Sequence, residues 1–398
     1  MYNISNLKYF FFLPSFYGFL TFGSTYIIFL LDIIDFKPMS LVTHLLIWVT
    51  IFSFSLATLV SFLLNKKLLK SYKLGITIPN KSVLFFLYLI GFIGIFLYLR
   101  EYFEFYGGAL NYFLILFSNN SSELRANGQI AAESIGIQLS YLGWIGIAIS
   151  FFHLRHKSLS RLWLIPLLLT FASNLLFIDR TRPMWILLVL LYIAFCINHY
   201  RLKLSILIKR SVLIVVIFLL IFLAIGNLAG KTTEVKNYKG WDVSPNVENI
   251  VFYLTSSYMY LDYIVCNEEP NYRLDRTINP LLKVLYYLKF TNEEPSSLIN
   301  EFYGRPYSSN VGTFLEPYYR DFGLVYCLFA IFFHSFILNY LALFFLKVRT
   351  PYSLFLVSNI CLVDFFSFFT PKLNNFPIWF FFGLGLFLFF KKTLFKNA

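Results

Sequence analysis

Long apolar runs, separated by short charged segments, occupy most of the chain. A helix needs about 20 apolar residues to cross the hydrocarbon layer of a bilayer. Read at that length, the pattern predicts ten spans, at about 9–31, 41–64, 82–99, 133–152, 162–178, 183–198, 211–229, 322–346, 351–370 and 376–390. The expected fold class is therefore an all-α polytopic integral membrane protein. Two polar segments interrupt the series, 100–132 and 230–321. The second is long enough for a small domain between spans seven and eight. It contains two half-apolar stretches, Ile250–Val265 and Leu281–Phe290, that read as helices lying on the interface or packed over the bundle. The expected organisation is 1–229 (spans one to seven, with loop 100–132), 230–321 (a loop domain) and 322–398 (spans eight to ten).

Composition agrees with a lipid environment. The chain is 58% hydrophobic and 13% charged, against about 25% charged in an ordinary soluble domain. The net charge of +13 does not indicate nucleic acid, because the basic residues flank apolar runs. Lys8, Lys66–Lys81, Arg155–Arg161, Arg201–Arg210, Lys347–Arg349 and Lys391–Lys396 hold more than half of the 33 Lys and Arg, and no Asp or Glu falls among them. The positive-inside rule then places both termini in the cytoplasm and loops 100–132 and 230–321 outside. The N-terminus has no small-residue cleavage site and reads as an uncleaved first span. The four cysteines are scattered and imply no disulfide. The 50 Phe and 28 Tyr are of the kind that A+T-rich coding favours, so their number alone does not mark a sugar-binding surface.

Candidate chemistry gathers at Tyr303–Gly323, where the longest polar segment runs into span eight. Arg305, Tyr307, Asn310, Glu316, Tyr318, Tyr319, Arg320 and Asp321 all fall within it. Pro317 suits a first helical turn, with Glu316 at the positive end of the helix. Asp321-Phe322-Gly323 also spells a kinase magnesium motif, but no Gly-rich loop or catalytic loop accompanies it. A second constellation, Asp179-Arg-Thr-Arg-Pro183, forms the tight turn between spans five and six. Arg180 and Arg182 there precede a helix N-terminus, whose free N–H groups favour an anion, and arginine grips phosphate with a bidentate fork. Asp364 and His334 lie inside spans nine and eight. An intramembrane carboxylate is either functional or a helix-packing partner, and the histidine reads as a packing residue. Arg100, Arg125, Arg273 and Arg276 read singly as solvated charges. No His or carboxylate set has metal-ligand spacing, so no metal or other cofactor is expected.

Asn310-Val-x-Thr313, followed by Tyr318-Tyr319-x-Asp321-Phe-Gly323 at the start of a span, resembles the late signature of oligosaccharide repeat-unit polymerases. These are the Wzy-type O-antigen polymerases of bacteria, in which an arginine at the start of the span after the Asp179–Pro183 turn is also characteristic. The resemblance implies a glycosyltransferase of the inner membrane that acts on the periplasmic face, in lipopolysaccharide or capsule assembly. Donor and acceptor would be oligosaccharides linked through pyrophosphate to undecaprenol, with a chain-length regulator as a further partner. On this reading Arg180, Arg182, Arg305 and Arg320 meet pyrophosphate, and Tyr307, Asn310, Tyr318 and Tyr319 meet sugar. Asp321, or after it Glu316, takes the acceptor proton, with Arg305 or Arg320 keeping Asp321 ionised. A flippase for the same lipid would place charges within many spans, and spans one to eight hold almost none. The related O-antigen ligases have a characteristic histidine in the outer loop, and neither outer loop here contains one. A purely structural membrane protein leaves the outer arginines without a role.

Overall fold

The computed structural model describes residues 4–70, 79–116, 135–177, 181–198, 205, 206, 209, 243–296, 298, 300, 303, 309–347 and 350–394. Among them the regular structure is helical, apart from an isolated bridge between Tyr303 and Ser309. In chain order the helices are α1 (Pro14–Leu30), α2 (Leu41–Lys70), α3 (Lys81–Phe105), α4 (Ala109–Leu116), α5 (Ile135–Arg155) and α6 (Leu164–Ser173). They continue with α7 (Thr181–Asn198), α8 (Pro245–Asn267), α9 (Asn279–Tyr287), α10 (Leu315–Leu346), α11 (Pro351–Phe365) and α12 (Phe376–Leu394).

Four of these, α2, α3, α5 and α10, are long and apolar enough to cross a bilayer. Large apolar side chains such as Trp48, Phe52, Leu64, Phe85 and Phe96 are more than half exposed on α2 and α3. Water would not sustain such faces, and lipid does. The chain is a helical membrane protein. Of the remaining expected spans, 183–198 falls within α7 and 376–390 within α12, and the others are covered in part or not at all. Span 9–31 divides into a 3-10 helix, Ile4–Phe12, and α1, which starts at Pro14. Span 162–178 holds the ten-residue α6 between two 3-10 turns, and span 351–370 ends its helix at Phe365. Span 211–229 lies outside the described residues.

Contacts divide the chain into two compact units. One takes its described residues from within 1–72, 233–347 and 359–384, the other from within 73–232, 348–358 and 385–398. This differs from the sequential division expected above. Residues 243–321 join the first unit because α8 packs along α1, α2 and α10. Tyr258, Tyr260, Leu261 and Ile264 of α8 share one buried cluster with Phe22, Phe54, Phe314 and Ile331. The stretch read as half-apolar in sequence is thus part of a core. The second such stretch, α9, leaves Leu281, Tyr287, Leu288 and Phe290 exposed.

In the first unit, α1, α2 and α10 are joined by polar groups at their apolar crossing. Asn339 of α10 accepts from the Ser15 backbone N–H at 3.1 Å. It donates to Ser15 Oγ, the Ala57 carbonyl and Ser61 Oγ at 2.8, 3.0 and 2.9 Å. Interhelical hydrogen bonds in membranes contribute about 0.6 kcal/mol each. Asn339→Leu keeps the branched shape and removes all of them, so a loss of about 2 kcal/mol is expected on thermal unfolding in micelles. An unchanged midpoint would show that these bonds do not hold the three helices. In the second unit, α3 and α5 approach closely through small residues. A Cβ on Gly91 would lie 2.7 Å from the Gly143 backbone nitrogen, which only a glycine permits.

Candidate functional site

The first unit carries a buried polar cluster at the head of α10. Its placement begins with backbone geometry. Pro317 lies in the first turn of α10, as its fixed φ and missing N–H favour. The helix then breaks at Gly323, with φ 67° and ψ −178°. This conformation is open to glycine and costly for any other residue. The break also lets the loop after α8 come close, since a Cβ on Gly323 would sit 3.0 Å from Pro270 Cγ and 3.1 Å from Tyr272 Oη. Asn271 N–H donates to the Arg320 carbonyl at 2.8 Å, one of the groups the break frees. The head of α10, residues 315–322, is therefore a short helical segment clasped by the 270–277 loop.

Glu316 is the centre of the cluster and is 2% exposed. Arg276 Nη1 donates to its Oε1 at 2.7 Å and to Asn300 Oδ1 at 2.9 Å. Asn300 Nδ2 donates to Glu316 Oε2 at 3.1 Å, and Arg320 Nε lies 3.5 Å from Oε1. Arg320 Nη2 in turn donates to Glu268 Oε1 at 2.7 Å and to Tyr260 Oη at 3.4 Å. Burial pushes the Tyr260 phenol up to about 12, against the pull of the Arg320 guanidinium. It remains a neutral partner at physiological pH. The two guanidiniums and Glu268 are the parts with some solvent access, and Glu316 lies behind them.

Asp321 is built into the backbone. Its Oδ2 accepts from Thr277 N–H at 2.6 Å, and both its oxygens lie within 3.3 Å of Arg276 N. Successive N–H groups that converge on one carboxylate form an anion nest. Asp321 thereby fixes the turn that carries Arg276. Arg320, expected as its charge partner, points to Glu268 and Glu316 instead, because neighbouring helix positions diverge by about 100°.

The remaining expected residues divide as follows. Tyr318 Oη lies 2.8 Å from His334 Nδ1, and Tyr319 Oη donates to the Val265 carbonyl at 3.1 Å. Both rings are 9% exposed, so little of either faces outward for a sugar. Asn310 is partly buried. Arg180, Arg305 and Tyr307 lie outside the described residues. Arg182 belongs to the second unit. It lies in the first turn of α7, not ahead of it, and is buried. Its guanidinium stands 5.5 Å from the ring centres of Tyr98 and Tyr141. Arginine favours such stacking on aromatic faces.

Asn300 and Glu268 were not singled out by sequence reasoning, and Arg276, read there as a solvated charge, is instead largely buried and paired with Glu316. Arg276 pairs with a residue 40 positions away, and no local spacing announces that. Comparison with family models, with curated proteins and with solved structures finds no match to this chain.

Proposed function

We propose that the chain is a glycan polymerase of the bacterial inner membrane, with both termini cytoplasmic. It moves a growing oligosaccharide from undecaprenyl pyrophosphate onto a second lipid-linked repeat unit at the periplasmic face. The observation that carries this reading is the convergence of Arg276 and Arg320 on Glu316 at the head of a broken apolar helix. Two partly accessible guanidiniums suit a pyrophosphate leaving group, which needs positive charge where negative charge develops. The anomeric C–O bond to pyrophosphate breaks, and the lipid pyrophosphate departs with the electron pair. The acceptor hydroxyl oxygen bonds to the anomeric carbon, and its proton passes to Glu316. A pyrophosphate that takes over the arginine donors leaves Glu316 less neutralised and so a better proton acceptor. Asp321, committed to two backbone N–H groups, positions Arg276 in this scheme. Arg182 between Tyr98 and Tyr141 is a second candidate for the anion.

The broken helix also suits a flippase for the same lipid, because carriers build sites where helices are interrupted. One experiment separates the two readings. Deleting the chain from its host should leave surface glycan one repeat long, with lipid-linked single units accumulating outside. Units trapped inside with no surface repeat would favour the flippase. An unchanged polymer ladder would exclude both.

A further inference from the structure

Three side chains form a connected line through the interior of the first unit. Tyr318 Oη lies 2.8 Å from His334 Nδ1, and His334 Nε2 lies 2.9 Å from Asp364 Oδ1. Tyr318 and His334 stand on opposite sides of the break at Gly323, and Asp364 is in the last turn of α11. They are 9%, 6% and 0% exposed. The second oxygen of Asp364 is buried and meets no donor among the described residues. The rings of Phe314 and Phe54 lie against His334, at 4.9 and 6.5 Å. Among the described residues the Cys327 thiol lies near Tyr318, and Cys361 precedes Asp364 by three positions on α11. The Lys372 ammonium lies over the Phe366 ring, 5.4 Å from its centre.

Charge balance decides where the protons lie. In one arrangement Asp364 is ionised, His334 is neutral with its proton on Nε2, and Tyr318 donates to Nδ1. The line then carries a bare negative charge among apolar rings, and one carboxylate oxygen has no donor. With one more proton the line is neutral overall, either as imidazolium beside carboxylate or as imidazole beside carboxylic acid. An unpaired ion in such surroundings is strongly disfavoured. Imidazolium beside carboxylate, and imidazole accepting from an acid proton on Oδ1, both place a proton on His334 Nδ1, which donates to Tyr318; an acid proton on Oδ2 would lack an acceptor among the described residues and is disfavoured.

We infer that Tyr318, His334 and Asp364 form a proton-holding latch. The trio keeps one proton bound inside the bundle at neutral pH, and that proton ties the head of α10 to the helix body and to α11. The neighbouring backbone reinforces the tie: Phe314 N–H donates to the Ser367 carbonyl at 2.9 Å, and Ser257 Oγ donates to the Phe368 carbonyl at 2.5 Å. Release of the proton leaves a carboxylate against apolar rings, so the charge of the trio and the seating of residues 315–322 are linked. The latch stands whether or not the chain polymerises glycans.

The test uses the purified full-length protein in lipid nanodiscs, with histidine rings labelled with nitrogen-15. The His334 signal is the one missing from His334→Gln. Its Nδ1 is expected to carry a proton at neutral pH. A neutral ring protonated only at Nε2 would overturn the inference, because Nδ1 would then hold no proton for Tyr318 to accept. A second measurement addresses the tie. In Asp364→Leu, amide exchange over 315–322 should accelerate roughly tenfold or more, while α3 and α5 keep their protection. Unchanged protection of 315–322 would overturn the latch. If Asp364→Leu does not fold, the wild-type spectrum still decides.

Discussion

Arg276→Ala is expected to destabilise the folded protein by about 3–5 kcal/mol, the usual effect of removing one partner from a buried ion pair. Glu316 is 3% exposed at the side chain and Arg276 15%, so solvent cannot replace the lost guanidinium. What remains is Arg320 at 3.5 Å and the Asn300 amide at 3.1 Å. Asn300 also loses the donor that its own oxygen accepts from. Removing both charges should be milder than removing one. The double variant Arg276→Met with Glu316→Leu leaves Arg320 its bond to Glu268 and buries no unpaired carboxylate. Thermal unfolding in micelles of Arg276→Met, Glu316→Leu and the double variant forms a double-mutant cycle. A coupling of about 1–3 kcal/mol is expected. Additive effects would mean that the two side chains touch without depending on each other, and the cluster would lose its claim to be a unit.

Glu316→Gln is expected to lower polymerisation by about 100-fold or more, the range that a general base contributes, while folded protein still accumulates. Gln keeps the shape and one oxygen that accepts from Arg276, but it turns an amide donor toward Asn300 and cannot take a proton. Asp321→Asn should behave differently. One amide oxygen can still accept from Thr277 and Arg276, so the turn survives with a loss of about 1–2 kcal/mol. Polymer length on the cell surface, measured beside protein level for each variant, separates the roles. If Asp321→Asn abolishes polymer in a folded protein and Glu316→Gln does not, the proton acceptor is Asp321. The positioning role assigned to it here would then be wrong.

The contrast between these two carboxylates marks where sequence reading ended. Both stand in one polar stretch at a membrane boundary, five residues apart, and both suit a base. Their difference comes from the 270–277 loop, which turns two backbone N–H groups on one and a guanidinium on the other. Hydropathy also started span eight at residue 322, whereas α10 starts at Leu315. The head of α10 is polar in composition, and Glu316, Arg320 and Asp321 enter the helix because each finds a protein partner. A windowed hydropathy reads them as a boundary, since it counts charges without seeing what satisfies them.

The sequence by itself determined that the chain is helical and lies in a membrane. Lipid demands that each spanning segment satisfy its own backbone, so the length and apolarity of a local run already state the answer. It also located the polar stretch at the head of α10, with Pro317 in its first turn, whereas the break at Gly323 came from the structure. Only the tertiary structure decided which charges meet. Arg276 reaches Glu316 across 40 residues, and His334 reaches Asp364 across 30. Ion pairs and hydrogen-bonded lines between distant segments depend on the path of the intervening chain, and that path leaves no period or spacing for the sequence to display.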